Sequence, residues 1–149
     1  MIPVSVEIDQ RALLASFIKL EGLYTDLAPV FEAVGEEGLS DIRHHIDSHP
    51  GPPLKAATIK KKGSTRILRD KDDLYGSFVR GAVNNVFRLS STEVEVGTAD
   101  FKAQFHQEGR GVPKRVIVEK VSSDREAKYT RIAVDVQLRR IRELGFEAH

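Results

Sequence analysis

Three prolines fall within four positions, Pro50, Pro52 and Pro53, with Gly51 between them. No helix crosses such a run, because each proline lacks a backbone N–H donor and forces the residue before it out of helical geometry. The chain is therefore divided. The part before Ser48 is patterned for helix, and the part after Pro53 must restart with new punctuation. The chain has 149 residues, a usual length for one domain.

Upstream of the break, Val4, Val6 and Ile8 alternate with Ser5 and Glu7, a short strand pattern. Asp9 is placed to cap a first helix, in which Leu13, Leu14, Phe17 and Ile18 recur at helical spacing as one apolar stripe. Gly22 is expected to break or bend it. Thr25-Asp26 offers a second cap, and Pro29 fits a first turn. Leu27, Val30, Phe31, Val34, Ile42 and Ile46 then line one face of a longer helix. Gly35 and Gly38 inside it mark either a bend or a close approach of another element.

Downstream, Leu54 to Phe78 is polar and basic, with isolated anchors at Leu54, Ile59, Ile67, Leu68 and Leu74. It reads as a surface connector with one or two helical turns. From Ser77 to Thr98, apolar residues between Asn84-Asn85 and Ser90-Ser91-Thr92 predict an antiparallel meander or long hairpin. Val94 and Val96 alternate with Glu93 and Glu95, so one sheet face is wet. Val116-Ile117-Val118 predicts a further strand. Ser123 and Glu126 have capping-box spacing, and Ala127 to Leu144 is read as a helix with two apolar stripes. One stripe is Tyr129, Ile132, Ala133 and Val136. The other, Ala127, Val134, Leu138 and Ile141, is assigned to a neighbouring subunit.

Composition excludes several chemistries. There is no cysteine, so disulfides, Cys-zinc sites and thiol catalysis are out. Lys+Arg total 23 against 22 Asp+Glu, which carries no nucleic-acid signature. The N-terminus lacks the pattern of a signal peptide, and no apolar run is long enough to span a bilayer.

The chemistry-bearing clusters each have a plain reading. His45 and His49 lie at i, i+4 beside His44, but no carboxylate or thiol at metal-site spacing accompanies them. Lys60-Lys61-Lys62-Gly63 lacks P-loop spacing. Arg69 to Asp73 reads as a local charge network. Tyr75-Gly76-Ser77 is not a nucleophile elbow. His106, followed by Gln107, Glu108 and Gly109, is the one histidine in a distinctive setting. It is read as a hydrogen-bonding anchor rather than a base.

These residues also carry a likeness. Pro52-Pro53-Leu54, Thr58-Ile59 with Lys60-Lys61-Lys62-Gly63, Ile67-Leu68 and Leu74, Val96-Gly97-Thr98, Phe101, Ala103, Phe105, His106-Gln107-Glu108-Gly109 and Pro113-Lys114-Arg115 come in order, closing at Ser122-Ser123-Asp124. In that order the chain resembles the virion morphogenesis (tail completion) family of tailed bacteriophages, small neck proteins of Mu-like phages and related prophages. The likeness covers about half the chain. It departs from the family pattern at Gly51, Asp73, Glu108 and Val116.

The resemblance implies an α+β domain, a small antiparallel sheet packed by helices, with N-terminal helices and a C-terminal helix. It implies a structural, non-enzymatic role at the head–tail junction of a virion assembled in the bacterial cytoplasm. No cofactor or metal is implied. The protein would act as a homo-oligomeric ring, hexameric by that resemblance, touching neck and tail proteins but no membrane. Gly97 is expected to make the turn after the last strand, and Phe101 and Phe105 to plug a short helix into the sheet. His106 and Gln107 would satisfy backbone groups where that helix ends. Partner contacts are assigned to Lys60, Lys61, Lys62, Gly109, Arg110, Lys114, Arg115, Leu138 and Ile141. The competing readings are a nucleic-acid-binding protein using Lys60–Lys62, Arg66, Arg69 and Arg139-Arg140-Arg142, and a small hydrolase centred on His106.

Overall fold

The computed structural model describes residues 9–146; the N-terminal strand expected at Val4 to Ile8 lies outside them. The order is α1 (Gln10–Thr25), α2 (Ala28–Asp47), α3 (Ala56–Lys62), α4 (Asp73–Gly76), β1 (Asn85–Leu89), β2 (Val94–Thr98), α5 (Phe101–Glu108) and α6 (Ser123–Glu143). The fold is α+β, with an antiparallel β1–β2 hairpin as its sheet.

Local chemistry explains the helix starts. Asp9 accepts from the backbone N–H groups of Arg11 and Ala12 and opens α1. Asp26 accepts from Ala28 N, and Pro29 occupies the first turn of α2. Ser122, not Ser123, caps α6 by accepting from Arg125 N, so the cap sits one residue earlier than the Ser123–Glu126 spacing predicts. Gly22 does not break α1, which runs through it to Thr25.

Helix α2 is the spine. The hairpin lies on it in the register Asn85↔Thr98, Phe87↔Val96 and Leu89↔Val94. Gly35 makes this contact possible. A Cβ there would stand 2.8 Å from Val94 Cγ2 and 2.9 Å from Phe87 Cζ, so the glycine serves close packing rather than a bend. Glu93 and Glu95 face water while Val94 and Val96 turn inward, as the alternation predicts. Gly97 is not a turn: it is a residue of β2 paired with Val86, and the chain turns after Thr98.

The core is Leu39 and Ile46 from α2, Leu74 from α4, Phe78, and Ile117. Phe78 is fully buried, and its carbonyl accepts from Arg43 Nη1 at 2.6 Å. Ile42, Leu68, Tyr75, Phe87, Val96 and Ala103 close around this cluster. The connector is irregular except for α3 and the single turn of α4, with Ile67 and Leu74 as its buried anchors.

On the other side, α6 packs along α2. Asp41 of α2 accepts from Lys128 Nζ and from the Tyr129 hydroxyl, both at 2.8 Å. Burial alone would raise the Asp41 pKa, but these two bonds and the Lys128 charge outweigh it and hold the carboxyl below its ordinary value. Burial and the Asp41 bond push the Tyr129 phenol up to about 12. Helix α1 packs on α6, and Leu23 is its one buried residue. Gln137 Nε2 donates to the Leu23 carbonyl at 2.9 Å and pins that end.

One sequence expectation fails here and another is modified. Val116-Ile117-Val118 is not a strand; it is an irregular segment whose backbone is bound by the Gln107 side chain. The second stripe of α6 is divided: Ala127 and Val134 are exposed, Val134 by 49%, whereas Leu138 and Ile141 are half-buried within the chain. The large exposed apolar face belongs to α1, where Leu13, Leu14, Phe17, Ile18 and Tyr24 are 46–62% exposed.

Candidate functional site

The segment from Asp100 to Val118 holds most of the candidate residues. Asp100 is buried and caps α5 by accepting from Lys102 N at 2.9 Å. Upstream, Ser77 is buried with its hydroxyl 2.7 Å from both the Leu74 carbonyl and Thr98 Oγ1. A hydroxyl has one proton to give, so Thr98 donates one of these bonds. Thr98 Oγ1 in turn accepts from Asp100 N. Ser77 is thus held in a buried chain of hydrogen bonds that joins α4 to the end of β2.

Helix α5 does not plug aromatic rings into the sheet. Phe101 is 68% exposed and Phe105 is 42% exposed, and the two rings meet each other edge-to-face at 6.0 Å. At i, i+4 they share one helix side, and that side is the outer one. Ala103 is the α5 residue that reaches the core.

Gln107 is the organising side chain. Its Oε1 accepts from Ile117 N at 2.7 Å and Val118 N at 3.0 Å, while Nε2 donates to the Val118 carbonyl at 2.9 Å. The amide therefore replaces the strand partner that residues 116–118 lack. Gly109, with φ of 76°, ends α5 in the left-handed conformation and turns the chain back, so that Arg115 N reaches the His106 carbonyl at 2.8 Å.

Arg115 corrects another expectation. It is not a loop cation open to a partner: only 3% of it is exposed. Its guanidinium donates to the Pro52 carbonyl at 2.8 Å and reaches the Pro113 carbonyl at 3.5 Å, while Nε has no partner. Gly51 is required beside it. With φ of 83°, a Cβ at this position would stand 2.7 Å from Arg115 Cγ. Lys114 and Arg110 are exposed, and Arg110 pairs with Glu108. Gly109 is half-buried.

His106 is partly buried, and its Nδ1 is enclosed without a partner. Burial first, and then the Arg115 charge, hold the imidazole below its ordinary pKa, with the Pro113 carbonyl pulling the other way. Burial likewise lowers Arg115.

These residues border a cleft of about 680 Å³ between α5 and the connector. Lys61, Lys62, Lys71 and Lys102 line it with His106 and Arg115, over Leu54, Leu68 and Leu74. The basic run at the end of α3 and the loop after α5, far apart in sequence, thus meet at one surface. Lys60 and Lys61 are exposed, whereas Lys62 is half-buried and donates to the Arg66 carbonyl.

The other clusters are occupied. His45 Nε2 lies 2.7 Å from the Val116 carbonyl and Nδ1 lies 3.3 Å from Glu119, so neither ring nitrogen is left for a metal. His49 sits past the end of α2. Among the described residues no group of His, Asp and Glu could hold a metal ion. Arg69 pairs with Asp72 and Asp47, both at 2.9 Å, and stacks on Tyr75 with 3.8 Å to the ring centroid; this is the local charge network expected of Arg69 to Asp73. Arg140 reaches the Leu23 carbonyl and Gln137, while Arg139 and Arg142 are exposed. Within the described residues no helix is long and apolar enough to cross a membrane.

Sequence reasoning missed the joining of Arg115 to Pro52 and the uncovered face of α1. The first had a signal, a glycine held between prolines. The second had none, since a stripe reads the same whether or not something covers it. Compared with known proteins, the chain matches no family model, no curated protein and no solved structure.

Proposed function

We propose that this chain is a non-enzymatic structural protein of a tailed bacteriophage or prophage, acting in virion morphogenesis at the head–tail junction as an oligomeric ring. The observation that carries this reading is the use to which the residues of the family-like motif are put. Pro52, His106, Gln107 and Arg115 are joined to one another or to residues 116–118 by their carbonyls and side chains. They knit connector, α5 and the segment after it together, a scaffold role rather than a catalytic one. Ser77 is likewise held in a buried hydrogen-bond chain.

The α1 face supports assembly. Leu13, Leu14, Phe17, Ile18 and Tyr24 together leave far more apolar surface on one helix than scattered exposed residues would. In this reading the face lies against a neighbouring copy, whose contacting surface is a different one. Such head-to-tail contacts close into a ring when the rotation between successive copies closes.

The test is deletion of the gene in its phage or prophage, followed by electron microscopy of induced lysates. Filled heads beside free tails are expected, because capsid and tube each have their own repeating contacts and only the joint is lost. Normal particles, or no heads at all, would overturn the assignment.

A further inference from the structure

We infer that the cleft between α5 and the connector is a docking site for an acidic peptide segment of a partner protein, with Arg115 as the anchor for one carboxylate. The inference is independent of the virion reading and would hold for a chain of any origin.

Three observations carry it. The first is an unbalanced charge. Arg115 is only 3% exposed, lines the cleft, has no carboxylate within salt-bridge reach among the described residues, and keeps Nε without a partner. A buried guanidinium held only by backbone carbonyls is a cost that an incoming anion relieves, and its planar fork suits a carboxylate. His106 also lines the cleft, with its Nδ1 enclosed.

The second is the sign of the rim. Lys61 and Lys71 have no acidic partner among the described residues, and Lys102 reaches Asp73 only at 3.8 Å. The acids at the cleft, Asp70 and Asp73, are outnumbered by these cations and Arg115. Complementarity therefore calls for a negative occupant.

The third selects the class of occupant. The lining includes Leu54, Leu68 and Leu74, and no Phe, Tyr or Trp ring. Single-stranded nucleic acid is held by aromatic platforms on which bases stack. A cleft with leucines beneath lysines instead suits a chain that alternates apolar and acidic side chains.

The test uses the full chain and fluorescence anisotropy. The probes are a labelled short peptide alternating Leu and Glu, its counterpart with Gln for Glu, and labelled oligo(dT). The Glu peptide should bind saturably and at least about tenfold more tightly than the Gln peptide. Lys61→Glu with Lys71→Glu should remove that preference, and a peptide alternating Leu and Lys should then bind the reversed protein better than the original. Arg115→Met should lose the Glu peptide as well; should it unfold, the lysine reversal decides alone. Equal binding of Glu and Gln peptides, or an unchanged preference after the lysine reversal, would refute the site. Oligo(dT) binding as tightly as the Glu peptide would refute the peptide class.

Discussion

Helices α1 and α6 are both long, both amphipathic, and in contact, yet they are treated differently. Helix α6 is the more polar of the two, with Arg139, Arg140 and Arg142 near its end, and it buries Val136 and keeps Leu138 and Ile141 half-covered. Helix α1 is richer in leucine and aromatic residues and leaves most of them in water. The difference lies in what each helix finds. Helix α6 lies along α2, where Asp41 fixes its register through Lys128 and Tyr129. Helix α1 is held at one end, through Leu23 and its carbonyl. Apolar content creates a demand for cover; geometry decides whether the chain itself supplies it.

The contrast between the two helices is tested most severely at Val136. Val136→Asp puts a charge into the α2–α6 contact and should cost at least about 4 kcal/mol, enough to unfold most of a marginally stable domain. Urea titration followed by circular dichroism measures this. A loss as small as that of a surface change would mean that α6 is not part of the folded core.

Next comes Asp41→Ala, which leaves the Tyr129 hydroxyl without its partner and Lys128 with Glu37 alone. A loss of about 1–3 kcal/mol is expected. The sharper readout is the phenol: Tyr129, held at about 12, should titrate nearer its ordinary value of 10.0 by ultraviolet absorbance. An unchanged titration would show that the clamp does not set the tyrosine's environment.

On α1 the expectation reverses. Leu14→Asp and Phe17→Asp should each change the stability of the isolated domain by no more than about 0.5 kcal/mol, because both side chains already face solvent. Light scattering of assembled material, on purified protein or on particles, should instead show loss of association. If these substitutions destabilise the monomer as much as Val136→Asp does, the face is covered by the chain itself.

The smallest effect is a pH dependence, and it lies apart from both helices. Folding holds His106 below its ordinary value of 6.5, so the unfolded chain binds the proton more readily. Stability from this group is therefore complete above about pH 6.5 and is lost as pH falls through the lower folded-state value. His106→Gln should flatten that part of a stability–pH profile. A profile unchanged by the substitution would place the dependence elsewhere. The two adjacent cations of the loop after α5 also respond differently to charge reversal. Lys114→Glu leaves the fold intact, whereas Arg115→Glu sets a carboxylate against the Pro52 carbonyl and should destabilise it; equal melting of the two variants would contradict the burial of Arg115.

Much of this protein is legible in its sequence. The proline run ends α2, Asp9 opens α1, Ser90 to Thr92 turns the hairpin, and alternation assigns Val94 and Val96 inward. These are local matters, settled by φ restriction, capping and side-chain period within a few residues. The α+β class, which the resemblance implies, agrees with them. Tertiary packing settled the remainder. Gly35 admits the hairpin, a Gln107 amide rather than a strand holds residues 116–118, and Arg115 is buried against Pro52. Phe101 and Phe105 turn outward, and α1 stays bare. Each of these depends on which surfaces meet, and residues far apart in the chain meet only once the whole core around Phe78 has closed.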